Sequence, residues 1–139
     1  NWIMTPHPGE AARLLDVSVA EIEADRFSAV RRLQEKYKAI VILKGAGSLV
    51  SAKDGQPIKV CPYGNPGMST GGMGDILSGV IGSLIAQGID LQTAAELGCC
   101  LHSAAADMAV QEKGYKGLVA TDILPYLAKA MNQWHQELL

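Results

Sequence analysis

Gly64-Asn65-Pro66-Gly67-Met68-Ser69-Thr70-Gly71-Gly72-Met73-Gly74-Asp75 is the stretch on which the reading of this chain turns. It runs directly into Ile76-Leu77-Ser78-Gly79-Val80-Ile81, the opening of an apolar helix predicted from Asp75 to about Gln87, with Gly88 as its stop. Glycines let a backbone turn tightly and leave its amide N–H groups uncovered. A helix start adds unsatisfied N–H groups and the positive end of its dipole. Gly71, Gly72 and Gly74 before such a helix therefore predict an anion site suited to phosphate. No Gly-Lys-Ser/Thr follows, so the loop is not a Walker A loop, and its spacing is not that of a dinucleotide fingerprint. Asp75 is placed beside bound phosphate oxygens, where a carboxylate accepts the proton of an attacking hydroxyl. The competing reading makes Asp75 a simple N-cap. A cap requires one residue, whereas this run has three glycines and a Ser-Thr pair before the carboxylate.

Upstream, Ala39-Ile40-Val41-Ile42-Leu43 is a continuous apolar run rich in β-branched residues. It predicts a strand buried on both faces, as in a parallel sheet covered by helices. Lys44-Gly45-Ala46-Gly47-Ser48 ends that strand, at the edge where α/β folds bind ligands. A nucleotide site and a plain strand-ending turn are equally compatible with these five residues. Ser48 to Ala52 and Ile58 to Cys61 read as a hairpin turning at Asp54-Gly55. Ser18 and Glu21 form a capping box for an amphipathic helix expected over Val19 to Tyr37. Trp2 to Met4 reads as the end of a strand. Thr5-Pro6-His7-Pro8-Gly9-Glu10 follows and leads into a short helix from Glu10 to Leu15. His7 and Glu10 supply hydrogen bonds and charge there, or merely cap that helix.

Downstream, Leu91 to Glu112 is an alanine-rich helix without charge between Glu96 and Asp107, so it is expected to be largely buried. Gly114 to Gly117 is a turn, and Thr121 is the expected cap of the last helix. The order is helix, buried strand, hairpin, glycine loop, three helices. This is an α/β pattern with a parallel sheet edged by an antiparallel hairpin. About three good strands are legible, so the sheet reads as incomplete and residues 1–139 as the C-terminal portion of a single domain.

The composition narrows the function classes. The 139 residues carry a net charge of −2, with 48% hydrophobic and 19% charged residues. This is a globular profile with no nucleic-acid footprint and no basic membrane patch. No apolar stretch reaches the ~18 residues of a membrane span, and no signal peptide is legible. Cys61, Cys99 and Cys100 have no zinc spacing and read as reduced, buried thiols of a cytoplasmic protein. His102, mid-helix among apolar residues, reads as a satisfied core histidine, and His135 as solvated. Met68 and Met73 read as gap-fillers, and Asn65-Pro66-Gly67 as a turn.

Taken in this order, Thr5–Glu10, Lys44–Ser48 and Gly64–Asp75 resemble the ADP/ATP-dependent NAD(P)H-hydrate dehydratases, and Gly117 to Asp122 resembles that family's last-helix entry. The resemblance implies a ribokinase-like three-layer fold with a mostly parallel sheet and a β-hairpin edge, incomplete in this chain. It implies nucleotide-driven dehydration of NAD(P)H hydrate, in which the hydrate hydroxyl is phosphorylated and phosphate is then eliminated. It assigns His7, Glu10, Asn65 and Asp75 to the substrate, and Asp75 also to catalysis as the base. It assigns Lys44, Gly45, Ala46, Gly47, Ser48, Thr70, Gly71, Gly72 and Gly74 to ADP or ATP. Mg²⁺ is expected with the nucleotide, and no residue is assigned as a metal ligand. Implied partners are further copies of the chain, and an N-terminal half or an epimerase domain. Two alternatives remain open here: a related small-molecule kinase acting on a hydroxymethylpyrimidine, hydroxyethylthiazole or pyridoxal, and a nucleotide-binding piece inactive without its N-terminal half.

Overall fold

The structure, a computed structural model, describes residues 2–52 and 56–137, with side chains through residue 133. The expected turn at Asp54-Gly55 and the expected solvation of His135 lie outside these described residues. Strand β1 (Ile3–Met4) leads through helices α1 (Pro8–Leu15), α2 (Val19–Ala24) and α3 (Arg26–Tyr37) to β2 (Ile40–Leu43). Strands β3 (Leu49–Val50) and β4 (Lys59–Val60) follow, then α4 (Met73–Ala86), α5 (Leu91–Lys113) and α6 (Leu124–Glu137). Short 3₁₀ turns occupy Pro66–Met68 and Ala120–Ile123.

The described strands form one sheet in the order β1-β2-β3-β4. β1 and β2 are parallel, with Ile3 opposite Ile40, whereas β2–β3 and β3–β4 are antiparallel. The sheet is therefore mixed within this chain, with one parallel pair. Only the β1–β2 connection is long enough to carry the helical crossover that parallel strands require, and the later strands reverse through short links.

β2 explains the layering. Val41 and Leu43 face Ala11, Ala12, Ile22, Val30 and Leu33 of α1–α3. Ile42 faces the other way, onto Leu77, Ile81 and Leu84 of α4 and Ala94, Ala95 and Cys99 of α5. All three strand residues are fully buried, which is why the run lacks polar alternation. The alanine-rich face of α5 allows close helix packing: a Cβ at Gly98 would come within 2.7 Å of Ile81 Cγ1. The result is a helix–sheet–helix sandwich, the α/β class expected.

Three boundaries differ from expectation. The helix foreseen over Val19 to Tyr37 breaks at Asp25, whose backbone leaves the helical region (φ −147°, ψ 83°) and whose Oδ1 accepts the Ser28 N–H at 2.9 Å. An aspartate side chain competes for backbone bonds in this way and starts a new helix. α4 begins two residues before Asp75, because Gly72 at φ +87° takes the N-cap position. At the last helix, Asp122 rather than Thr121 makes the bond, accepting the Val119 N–H at 3.0 Å and pairing with Lys113.

Candidate functional site

The site grows from the end of β2. Lys44 leaves the sheet with its N–H donated to the Pro6 carbonyl at 2.9 Å. The Gly45 N–H donates to Ser48 Oγ at 3.3 Å, and that hydroxyl donates back to the Gly45 carbonyl at 3.2 Å, closing a tight loop. Gly47 sits at φ +67°, a conformation L side chains rarely adopt. Arg26, the first residue of α3, braces the loop. Its Nη1 donates to the Ala46 carbonyl at 2.6 Å and its Nη2 to the Leu43 carbonyl at 3.3 Å.

The glycine loop approaches from the other helical layer. No side chain caps α4; the Asp75 and Ile76 N–H groups donate to the Gly72 carbonyl at 3.1 Å, which leaves those of Met73 and Gly74 for a ligand. Asp75 is the third helical residue and exposed, which removes the N-cap reading. A Cβ on Gly74 would lie 3.1 Å from Lys44 Nζ, so the ammonium rests against the backbone at this helix start.

The His7 segment closes the third side. His7 Nδ1 accepts from the Gly9 and Glu10 N–H groups at 3.1 and 3.3 Å, capping α1, so a neutral ring carries its proton on Nε2. Glu10 Oε2 accepts the His7 N–H at 2.7 Å and lies 3.7 Å from Lys44 Nζ. Burial raises the Glu10 pKa, but the His7 amide and the charges of Lys44, His7 and Arg13 outweigh it and hold the carboxyl below its usual range.

A cavity of about 550 Å³ lies between these segments. That is within the range of roughly 300–1,000 Å³ typical of small-molecule sites. Of the residues singled out in the sequence, His7, Lys44, Gly45, Ala46, Gly47, Ser48, Asn65, Thr70 and Gly74 form its wall. Gly71, Gly72 and Asp75 stand next to Thr70 and Gly74 in the chain without lining the cavity, and Glu10 faces a separate hollow with Arg13 and Tyr37. Among the described residues no cluster of three His, Cys, Asp or Glu side chains forms a metal cage.

The family model for NAD(P)H-hydrate dehydratase matches residues 1–129. The chain belongs to this family. It is 54% identical over 132 residues to the bifunctional NAD(P)H-hydrate repair enzyme of Coxiella burnetii, covering 95% of this chain and 27% of that protein. It is 48% identical to the ADP-dependent (S)-NAD(P)H-hydrate dehydratase of Neisseria meningitidis, covering 90% of this chain and 42% of that one. The ADP/ATP-dependent NAD(P)H-hydrate dehydratase of Bacillus subtilis, co-crystallised with ATP/Mg²⁺, superposes with a TM-score of 0.88 at 28% identity, over 94% of this chain and 47% of that one. The chain thus spans less than half the length of these relatives.

Three residues of this chain escaped the sequence reading. Arg26 falls inside the amphipathic helix expected over Val19 to Tyr37, with no role assigned to it. Asp107 accepts from the Gly64 N–H at 2.9 Å and from Asn65 Nδ2 at 2.7 Å, and Asn65 Oδ1 accepts the Gly67 N–H at 3.0 Å. The Asn65 amide is thereby engaged in shaping the loop while its side chain lines the cavity. His102 is buried as expected but not satisfied: its Nε2 has no hydrogen-bond partner. The only sequence signals were His102 and Asp107 on an alanine-rich helix that has no charge between Glu96 and Asp107.

Proposed function

We propose that this chain is the C-terminal portion of an ADP- or ATP-dependent NAD(P)H-hydrate dehydratase and carries its phosphoryl-transfer machinery. The observation that carries the reading is the convergence of Lys44 with the uncapped start of α4, beside a cavity of nucleotide size, in a chain of this family. The Met73 and Gly74 amides at the start of α4, together with Lys44, would hold the terminal phosphate through N–H groups and one placed charge. Gly45 to Ser48 and Thr70 would hold the rest of the nucleotide. His7, Glu10 and Asn65 would face the hydrated nicotinamide.

In the proposed reaction the hydrate hydroxyl attacks the terminal phosphorus, and Asp75 accepts the hydroxyl proton. The nucleotide leaves one phosphate shorter. The substrate C–O bond then breaks as the ring nitrogen's lone pair moves into the ring, releasing inorganic phosphate and leaving an iminium, which loses a proton from the adjacent ring carbon to the released phosphate and becomes NAD(P)H. Mg²⁺ would travel on the nucleotide's phosphates and neutralise their charge.

The test uses the full-length gene product. Hydrated NADPH with ADP or ATP and Mg²⁺ regains the absorbance of reduced nicotinamide, and Asp75→Asn binds nucleotide without turnover. No nucleotide-dependent recovery overturns the proposal.

A further inference from the structure

Cys61 directly follows β4, and the fold lays it against α5. Its Sγ rests 3.8 Å from the Cys99 carbonyl oxygen, which belongs to the peptide joining Cys99 to Cys100. All three thiols are free. Cys61 and Cys99 are buried and Cys99 lines the cavity, whereas Cys100 is half-buried. The cluster thus runs from the cavity wall towards the outer side of α5. The reaction proposed above uses none of these sulfurs.

The three are not chemically equal. Interaction with the Cys100 and Cys99 side chains pulls the Cys61 pKa down and outweighs its burial. The same interaction with Cys61 pushes theirs up, and burial adds to it. The Cys61 proton is therefore the one most readily lost, and the thiolate is the reactive form. A readily ionised cysteine beside a second thiol is the arrangement that oxidants convert to a disulfide. Cys61 is also tied to the Lys44–Ser48 loop. Its N–H donates to the Ser48 carbonyl at 2.8 Å, and the preceding Val60 Cγ1 lies 3.6 Å from the point a Cβ on Gly47 would occupy.

We propose that Cys61 and Cys100 are a site of oxidation by hydrogen peroxide, closing a reversible disulfide that ties the end of β4 to α5 and weakens ADP binding. The effect on ADP rests on the nucleotide reading of the cavity given above. The Cys61 thiolate attacks one peroxide oxygen, the O–O bond breaks, and the departing hydroxide takes up the proton that Cys61 gave up and leaves as water. The resulting sulfenic acid is uncharged, which removes one cause of the high Cys100 pKa. The Cys100 sulfur then attacks the Cys61 sulfur and the S–O bond breaks, the Cys100 proton leaving with the hydroxide as a second water. Two thiols are oxidised and one peroxide is reduced to two waters. Cys99 is wedged in the core with Leu77, Ile81 and Leu84, whereas half-buried Cys100 has room to turn. A disulfide holds its sulfurs ~2.05 Å apart, far closer than two packed thiols, so the bridge draws Cys61 towards α5 and the Ser48 carbonyl with it.

The full-length gene product is treated with hydrogen peroxide, its remaining thiols are blocked, and its peptides are mapped by mass spectrometry. The expected product is a linked pair of peptides carrying Cys61 and Cys100, lighter by two hydrogens and separated by dithiothreitol. Cys61→Ser and Cys100→Ser each abolish the link, and Cys99→Ser keeps it. No bridge, a bridge from Cys61 to Cys99, or oxidation that stops at isolated sulfenic or sulfinic acids overturns the proposal. Should a serine variant not fold, the map of the natural protein decides alone. Calorimetric titration of the bridged protein is expected to give an ADP affinity at least about threefold below that of the reduced protein, recovered on reduction. Equal affinities in a fully bridged protein overturn the inference and leave the nucleotide site standing. If the reduced protein binds no ADP, the nucleotide reading itself fails, and the effect on ADP with it.

Discussion

Lys44 Nζ lies 3.1 Å from the point a Cβ on Gly74 would occupy. This contact joins the end of the buried strand to the start of the glycine-loop helix, two segments thirty residues apart in sequence. It also places a cation where helix amides already favour an anion. Gly74→Ala should push the ammonium aside without harming the fold, because alanine favours a helix over glycine by ~1 kcal/mol. The expected result is an ADP affinity lowered about tenfold, which is ~1.4 kcal/mol, with an unchanged or slightly raised thermal midpoint. Calorimetric titration beside a melting curve separates the two effects.

Arg26 offers a second test. Its guanidinium serves two carbonyls, those of Ala46 and Leu43, and a Cβ at Gly45 would stand 2.7 Å from Nη2. Arg26→Gln removes at least one of these bonds and should lower unfolding free energy by ~1–3 kcal/mol. Arg26→Lys keeps the charge but not the planar fork, so it should recover stability only in part. In both variants the loosened Lys44–Ser48 loop is expected to weaken ADP binding. Chemical denaturation and nucleotide titration of the same samples check this.

The layout of these elements was legible because it rests on patterns with a physical period. The run Ile40 to Leu43 lacks the polar alternation of a half-exposed strand, and three glycines before Ile76 are more than a simple cap requires. What escaped was the support between distant segments. Arg26 and Asp107 each act across long stretches of chain, Arg26 on the loop after β2 and Asp107 on Gly64 and Asn65. A side chain's neighbours on its own helix say nothing of such partners. Asp25 was misread for a different reason: hydrophobic spacing continued across it, while its own side chain ended one helix and capped the next.

Asp107 leads to a kinetic prediction. It is the α5 residue that ties down the segment before the glycine loop, through Gly64 and Asn65. Asp107→Ala should free that segment while leaving the α4 start and Lys44 in place. Turnover is expected to fall about 10- to 100-fold, as misplacing a reacting group does, with ADP affinity changed by no more than about twofold. Asp107→Asn, which keeps one oxygen acceptor, should fall between the two. Steady-state kinetics with hydrated NADPH, alongside ADP titration, measure both quantities.

The acid limb of stability should report on Glu10. Burial alone would raise its pKa from the ordinary 4.5, but the His7 amide and the charges of Lys44, His7 and Arg13 bring it lower. A carboxylate with a depressed folded pKa adds stability above its unfolded value and loses it as pH falls through the folded one. The natural protein should therefore exceed Glu10→Gln in stability near neutral pH, and the gap should close below pH 4.5. Denaturant midpoints of both proteins from about pH 7 to about pH 3 trace this convergence. Parallel curves over that range would mean that Glu10 gains nothing from Lys44 and the His7 amide in the folded state.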